Sequence, residues 1–406
     1  MLEDFRMNPK KDFIKSYDFI MLILIFCLMF TSIVAIYSAS KSGQYQGGFV
    51  ARQSVFYLIG LTISILVAKI DLNRIKRINW IIYGICILLL IVLIYSPESI
   101  ARPVNGAKAW FQLPFIGSLQ PSEFMKISLL ISISAMVDKH NKVYKINNVK
   151  TDLILLCKIL LISLPPSLIV LKQPDTGMTM IFLAIIFSII LCSKIKTSIA
   201  LFLISIPTLM ITTLLVILTK FPNYFEVRIL SLLMPYQRSR IEGWLNPFEH
   251  SDAGFQTKQG LLAIGTGQFS GKGYLKGAVY IPEEHTDFIF ANIGEEFGFI
   301  GGAVIIVLFF LLLSRIMNIS LDALKNTNSL FGTMICIGTI SVLAFQIFQN
   351  IGMTIGLLPV TGITLPFLSY GGSSLLSNMI LIGLTQSVRN SYIGYIFCNL
   401  EGEKYG

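Results

Sequence analysis

Long apolar segments alternate with short polar ones along most of this chain. Each of ten such segments approaches the roughly 20 residues that an α-helix needs to cross a bilayer. The first segment is too long for the apolar core of a signal peptide, so we expect it to remain as a helix. The predicted spans are residues 19–40, 50–68, 79–96, 119–137, 152–171, 177–193, 197–219, 289–314, 329–349 and 373–396. The pattern predicts an all-α polytopic membrane protein whose 406 residues form a single membrane domain.

The composition supports a membrane protein and argues against a nucleic-acid partner. Hydrophobic residues make up 54% of the chain and charged residues 13%, against about 25% charged residues in ordinary soluble domains. The net charge of +10 is spread over the loops and forms no basic patch. The six cysteines lie in or beside apolar segments, which indicates small buried residues, and the three histidines are too scattered to suggest a metal site.

The distribution of Lys and Arg predicts the orientation of the chain. If the N-terminus lies inside, the short inner segments carry 18 of these residues and the short outer loops carry five. Positive charge collects on the cytoplasmic side of membrane proteins, so both termini are predicted to be cytoplasmic. The segment of about 70 residues at 220–288, between spans 7 and 8, is then a large outer loop, and its Leu, Ile, Tyr and Gly content predicts a folded structure with short helices.

A second outer segment, at about 350–373, is predicted to line a cavity. Its sequence "GLLPVTGITLPFLSYGGSS" (356–374) carries no charge and is rich in Gly and Pro. Non-helical backbone near lipid must be buried in protein or face a cavity. The chain has no internal repeat, which disfavours a transporter built from inverted repeats.

Three predicted spans begin with a carboxylate at the outer face, namely Glu123, Asp175 and Asp287. Ionisable residues at membrane depth are costly and are candidates for function. Each also has a structural interpretation, because Glu123 can favour a helix N-terminus and pair with Lys126, while Asp175 and Asp287 can be helix N-caps. Convergence of all three on one membrane face favours a functional site.

Further carboxylates lie in "PEEHTDFIFANIGEEFGFIGG" (282–302). Glu295 and Glu296 are adjacent, so we expect only one of them to face the bundle interior. Trp110 is either an anchor in the aromatic belt or a platform for a sugar face. The stretch "TGQFSGKG" (266–273) fails the phosphate-loop pattern at both ends, and we exclude a nucleotide site there.

Several long motifs resemble the SEDS family (shape, elongation, division and sporulation). They are "IYSAS", "GAKAWFQL", "QPSEFMK", "QPDTGM", "HTDFIFA" and "LPFLSYGGSSL", which extend from the first span to the last. Within the family, "NIGMTIGLLPVTGI" is more similar to the elongation branch, RodA, than to the division branch, FtsW, or the sporulation branch. The resemblance implies a ten-span peptidoglycan glycosyltransferase of the bacterial plasma membrane with its active site on the outer face.

The resemblance also implies a substrate and a partner. Family members polymerise lipid II, a disaccharide-pentapeptide on undecaprenyl pyrophosphate, and work with a class B penicillin-binding protein. The family's essential aspartate corresponds to Asp287, which His285 and Thr286 adjoin, and its functional tryptophan to Trp110. Its polar cavity residues correspond to Glu123, Lys126 and Asp175.

One departure from the family is visible beside Trp110. Many relatives have Arg before this tryptophan, whereas this chain has Ala109, which leaves Lys108 as the nearest cation. The pyrophosphate leaving group needs cations or a metal such as Mg²⁺ or Mn²⁺. Candidate cations are Lys126, Arg228, Arg238, Arg240, Lys258 and Lys272.

The sequence leaves two questions of mechanism open. Asp287 is either the general base that activates a sugar hydroxyl or a metal ligand. The alternatives to a polymerase are a lipid II flippase, which would use the same polar cavity, and a non-catalytic scaffold for the penicillin-binding protein. The missing repeat and the large outer loop argue against the flippase, and carboxylates on three helices argue against a scaffold.

Overall fold

The computed structural model describes residues 17–41, 48–103, 106–113, 117–144, 148–233, 235–248 and 254–402. Within them the chain is mainly helical. The helices are α1 (Phe19–Lys41), α2 (Phe49–Ala68), α3 (Leu72–Tyr95), α4 (Pro121–Val143), α5 (Val149–Lys172), α6 (Thr176–Cys192), α7 (Thr197–Lys220), α8 (Pro235–Leu245), α9 (Phe255–Gly267), α10 (Ile289–Thr327), α11 (Leu330–Thr354) and α12 (Gly372–Gly402). Strands β1 (Phe111–Leu113) and β2 (Gly117–Leu119) pair antiparallel just before α4.

Several of these helices can cross a membrane. Among the described residues, seven are long and apolar enough to do so by length and composition, namely α1, α2, α3, α5, α7, α10 and α11. Helix α6 is apolar but has only 17 residues. The chain is therefore a multi-pass membrane protein, and the exact count of ten spans stays a prediction.

Helix α4 occupies the centre of the bundle, which explains its polar character. Most of its side chains are buried, including the hydroxyls of Ser128 and Ser132. Asn79 of α3 donates hydrogen bonds to the Ser128 carbonyl (3.1 Å) and the Ser132 hydroxyl (2.7 Å). A helix whose neighbours are protein can satisfy polar groups that lipid would leave unpaired. Helix α7 is the opposite case, since none of its residues is buried.

The predicted outer loop contains short helices in its described part. A helical turn at Pro222–Tyr224 continues into Phe225–Ile229 and Leu230–Leu232, and α8 and α9 follow. Residues 249–253 of the loop lie outside the described part of the chain. Whether the loop lies outside the membrane stays a prediction.

Glycines allow the end of this loop to pack directly on α10. A Cβ at Gly267 would lie only 1.9 Å from the carbonyl oxygen of Gly294, and one at Gly271 would lie 2.1 Å from that of Glu296. Helix α10 is interrupted at Gly298, whose φ of 63° is in the region that favours glycine. The backbones therefore approach more closely than any side chain would permit.

This packing makes one sequence prediction wrong. We expected only one of Glu295 and Glu296 to face the interior, but both are buried. Glu295 accepts hydrogen bonds from Lys272 and from the amides of Ala278 (2.9 Å) and Val279 (3.0 Å). Glu296 accepts one from Ser38 of α1. An isolated helix would expose one of the two carboxylates to solvent, but here the loop that contains Lys272, Ala278 and Val279 packs over Glu295.

A candidate active-site cavity

A cavity of about 860 Å³ opens among the ends of the helices, within the range of small-molecule sites. Helices α2, α4, α6, α8 and α11 contribute side chains to its wall, together with residues 361–364 of the Gly/Pro-rich segment. The wall includes seven of the eleven site residues predicted from the sequence. They are Trp110, Glu123, Asp175, Arg240, His285, Thr286 and Asp287.

Asp287 lies on the cavity wall two residues before α10 begins. The N-cap position of that helix is occupied by Phe288, and no side chain caps it, so the capping interpretation of Asp287 is wrong. Asn350 of α11 donates a hydrogen bond to the Asp287 carbonyl (2.9 Å), which fixes the backbone. The carboxylate faces Gly362, where a Cβ would lie 3.6 Å from Oδ2.

The surroundings of Asp287 favour its protonated form. Burial, and then the nearby charge of Glu283, raise the pKa of this carboxyl to about 6, while the charge of Arg240 acts in the opposite direction. A carboxyl with a pKa near 6 accepts a proton at neutral pH more readily than an ordinary aspartate does.

Asp175 is both a helix cap and a cavity residue. Its Oδ1 accepts a hydrogen bond from the Met178 amide (3.0 Å) at the start of α6, and its Oδ2 accepts one from Gln120 (2.9 Å). Burial raises the pKa of Asp175 to about 6, against the effect of these hydrogen bonds. The structural and functional interpretations of this residue are therefore compatible.

The segment Val360 to Ile363 joins the parts of the site. The Arg240 guanidinium donates a hydrogen bond to the Val360 carbonyl (2.7 Å), and Asn350 donates one to the Ile363 carbonyl (2.8 Å). Gly177, two residues after Asp175, packs so closely that a Cβ would lie 3.2 Å from the Thr361 carbonyl oxygen. Gly362 has a φ of 75°, which favours glycine. One loop therefore sets the positions of Asp287, Arg240 and the start of α6.

Glu123 and Lys126 form a buried ion pair in the first turns of α4. Lys126 has no exposed surface, and its ammonium also donates a hydrogen bond to Asn378 of α12 (3.2 Å). Glu123 accepts another from Ser377 (2.6 Å) and faces the cavity, whereas Lys126 is not part of the cavity wall. The pair thus links α4 to α12 behind the wall.

The wall around His285 is aromatic. Its imidazole lies 4.8 Å from the Phe49 ring and 5.6 Å from the Tyr370 ring, measured between centroids. Burial lowers the pKa of His285, so the ring is neutral at pH 7. The neighbouring Thr286 hydroxyl donates to the carboxylate of Glu283 (3.0 Å). Trp110 also lines the cavity, as a sugar-stacking platform would.

Three predicted cations contact protein groups away from the cavity. Lys108 donates to the carbonyls of Ile94 (3.0 Å) and Ser96 at the end of α3. Arg238 pairs with Glu242 on the exposed face of α8 (2.7 Å). Lys272 pairs with Glu295 in the packed loop. The structure does not bring these three side chains, or Lys126, to the wall where Arg240 lies.

Other cavity residues were missed by sequence reasoning. Arg52, one of the five cations assigned to the short outer loops, lines the wall from the first turn of α2. Gln120 and Glu283 lie inside the quoted stretches "QPSEFMK" and "PEEHTDFIFANIGEEFGFIGG", so their place in these motifs was the available signal. Gln346 lies in the interior of an apolar helix, where polarity alone could have marked it. Among the described residues, no group of three His, Cys, Asp or Glu side chains is arranged to hold a metal ion.

Comparison with known proteins places the chain among bacterial cell-cycle proteins. Residues 15–392 match the family model FTSW_RODA_SPOVE, described as "Cell cycle protein". The "Probable peptidoglycan glycosyltransferase FtsW" of Trichlorobacter lovleyi is 33% identical over 382 residues, 92% of this chain and 93% of that protein. "Stage V sporulation protein E" of Bacillus subtilis is 33% identical over 384 residues, 92% of this chain and 97% of that protein.

Solved structures share the fold. A chain from a structure described as "Structural coordination of polymerization and crosslinking by a peptidoglycan synthase complex" has a TM-score of 0.71 and 27% identity, covering 93% of this chain and 98% of that one. The rod shape determining protein RodA of Thermus thermophilus has a TM-score of 0.65 and 25% identity, covering 93% of this chain and 97% of that one.

Proposed function

The chain belongs to the FtsW, RodA and SpoVE family, identified above from its motifs as the SEDS family, and on that premise we propose that it is a peptidoglycan glycosyltransferase that polymerises lipid II. The observation that carries the proposal is the carboxyl of Asp287, which lies on the cavity wall, caps no helix and has a raised pKa. Relatives named as probable peptidoglycan glycosyltransferases support the reaction class. The direct test is glycan formation from purified lipid II in detergent.

The reaction transfers a sugar from a lipid pyrophosphate to a hydroxyl. Asp287 accepts the hydroxyl proton, the oxygen forms a bond to the anomeric carbon, and the bond from that carbon to the pyrophosphate oxygen breaks. The bonding electrons leave with the lipid pyrophosphate. A positioned base contributes about 10²–10⁴-fold to such steps. We assign the base role to Asp287, because its raised pKa suits proton transfer at neutral pH.

The leaving pyrophosphate needs positive charge near Asp287. Arg240 is the best placed cation. It donates a hydrogen bond to the carbonyl of Val360, two residues before Gly362, which the Asp287 carboxylate faces. Its charge also lowers the pKa of both Asp287 and Asp175. Arg52 lines the same cavity from α2, beside the apolar side chains of Val55 and Ile59. We propose that these two arginines bind phosphate oxygens, with the isoprenoid chain against the apolar wall.

A divalent cation fits the site only together with the substrate. The cavity carboxylates include Asp175, Glu283 and Asp287, yet no three described groups form a complete set of ligands. Mg²⁺ is commonly held by one or two carboxylates and substrate phosphates. We propose that Mg²⁺ or Mn²⁺ would bind in this way, where it would neutralise phosphate charge, and the base role of Asp287 does not depend on it.

The branch of the family is better supported as division or sporulation than as elongation. Similar proteins named FtsW and Stage V sporulation protein E are each 33% identical to the chain, whereas the RodA structure is 25% identical. The motif-based prediction of an elongation role is therefore the weaker alternative. For the partner we propose a class B penicillin-binding protein, which would cross-link the glycan, as the coupling named for the similar synthase complex suggests.

The proposed orientation places the cavity on the outer face, and labelling can test it. We expect Lys276→Cys, in a chain without its native cysteines, to react with an impermeant thiol reagent on intact protoplasts. Asn73→Cys should react only after lysis, because it lies on the side that is rich in Lys and Arg. Both positions are exposed, so accessibility is matched. The opposite pattern would place the carboxylates in the cytoplasm.

The pH dependence of the rate should report on Asp287. A general base acts in its ionised form, so we expect the turnover number to rise with pH through about 6 and then level off. Glu283→Gln removes a charge that raises this pKa, so it should move the midpoint to lower pH.

Asp175 is the control, because burial raises its pKa to about 6 as well. Asp175→Asn can still cap α6 and should keep the midpoint of the wild-type profile. If the midpoint of the pH–rate profile disappears in Asp175→Asn and is unshifted in Glu283→Gln, the titrating group is Asp175 and not Asp287.

A further inference from the structure

The side-chain amide of Gln346 is buried in the cavity wall without a hydrogen-bond partner among the described residues. Gln346 is 1% exposed, and neither its Oε1 nor its Nε2 finds a partner. Most buried polar groups in proteins are hydrogen-bonded, so an orphan amide requires a ligand or water. The cavity provides the space for one, because Gln346 is part of its wall.

The position of Gln346 ties it to the site. It lies one helical turn before Asn350 on the same face of α11, and Asn350 holds the backbone of Asp287. One turn corresponds to about 6 Å along the helix. Gln346 therefore lies within one sugar ring of the segment that carries the proposed base.

The surroundings of Gln346 fit an acetamido group. A primary amide can donate to the carbonyl oxygen of a second amide and accept from its N–H. Apolar side chains of Met178, Ile181 and Ile363 line the same cavity and can contact a methyl group. The hydroxyl of Thr361, also on the wall, has no partner among the described groups and can bind a neighbouring sugar hydroxyl.

We propose that Gln346 recognises the acetamido group of an N-acetylated sugar through a pair of amide hydrogen bonds. This inference rests on the proposed function, and it names the group by which the cavity distinguishes amino-sugar substrates from other hexoses. Gln346 is a specificity residue in this assignment and takes no part in proton transfer. A site built to hydrogen-bond a substrate group rejects analogues that lack it, because its own polar atoms stay unpaired.

The test compares lipid II with neutral analogues that carry a hydroxyl in place of the acetamido group on one or the other sugar. Binding is measured in detergent to the Asp287→Asn protein, so the result does not depend on turnover. We expect at least one analogue to bind about 10-fold more weakly than lipid II. Adding Gln346→Met should weaken lipid II binding to the level of that analogue and abolish the discrimination.

Stability separates recognition from a structural role. Gln346→Met removes orphan polar atoms, so its melting temperature should equal or exceed that of the parent protein. The matched control is Gln349→Met, one turn along α11, whose amide donates to the Pro359 carbonyl (3.1 Å) and does not line the cavity. That control should lower the melting temperature and retain the discrimination.

Two outcomes would overturn the assignment. Equal affinity of the parent protein for lipid II and both analogues would mean that Gln346 binds only a buried water. Discrimination that survives Gln346→Met would move recognition to another residue. Failure of the proposed function is separate, because it would appear as wild-type protein that binds lipid II with discrimination and yet forms no glycan.

Discussion

Asp287→Asn is expected to reduce glycan polymerisation by at least about 100-fold while the protein remains folded and bound to its partner. The Asn side chain has nearly the same size and cannot accept the hydroxyl proton. The Asp287 carboxylate makes no capping contact with α10, and the hydrogen bond that holds this position goes to its backbone carbonyl. Loss of the carboxylate should therefore remove chemistry and leave packing intact. The measurement is the rate of glycan formation from lipid II, with the melting temperature recorded in parallel.

Asp175→Asn provides a matched comparison for this variant. Asp175 lines the same cavity with a similarly raised pKa, but it also caps α6 and accepts a hydrogen bond from Gln120. Asn can retain the cap, so we expect a smaller loss of rate at Asp175 than at Asp287. Near-normal polymerisation by Asp287→Asn would remove the base from the proposed mechanism.

The second large effect concerns the buried pair of Glu123 and Lys126. Glu123→Gln leaves the fully buried Lys126 ammonium without its counter-ion, and Lys126→Met leaves the carboxylate with Ser377 as its remaining side-chain partner among the described residues. Removing one partner of a buried pair costs about 3–5 kcal/mol, whereas removing both is often far less costly. Each single variant should therefore lose most of its stability and activity. The double variant Glu123→Gln/Lys126→Met should recover folding and part of the rate.

The other role for Lys126, as one of the candidate cations for the pyrophosphate, predicts a different result for this double variant. If Lys126 contacts the pyrophosphate, the double variant folds and remains inactive. Its burial behind Glu123 and its contact with Asn378 now favour the structural role. The melting temperature and the polymerisation rate of all three variants decide between the two roles. Lys142→Met is the control, because this lysine is largely exposed in its pair with Asp138 and should change stability by about 1 kcal/mol or less.

Local pattern was sufficient to predict much of the membrane architecture. The length and apolar character of α1, α3 and α5 depend only on residues within each helix, so they are visible in the sequence. Local pattern was less informative for α4, because a central helix surrounded by protein can be rich in serine. It failed at Glu295 and Glu296, because the loop that covers the second carboxylate returns from residues 268–279, outside the helix itself.

In the site, too, the carboxylates could be predicted from local sequence, whereas the cations depend on contacts between distant parts of the chain. Asp287, Asp175 and Glu123 could be predicted, because a carboxylate at the end of an apolar helix is anomalous wherever the helix lies. The cations could not be assigned, since every loop Lys or Arg is equally plausible in sequence. Only folding places Arg240 beside the segment at Val360 and directs Lys272 to Glu295.

The central claim is that this chain polymerises lipid II with Asp287 as the base. The most direct measurement incubates purified lipid II in detergent micelles with the wild-type chain and a class B penicillin-binding protein whose own catalysis is blocked. Micelles offer no membrane to cross, so flipping cannot contribute to the signal. We expect glycan strands from the wild-type protein and none above background from Asp287→Asn. Wild-type protein that makes no glycan in micelles, yet moves labelled lipid II across liposomes, would contradict the account and identify a transporter.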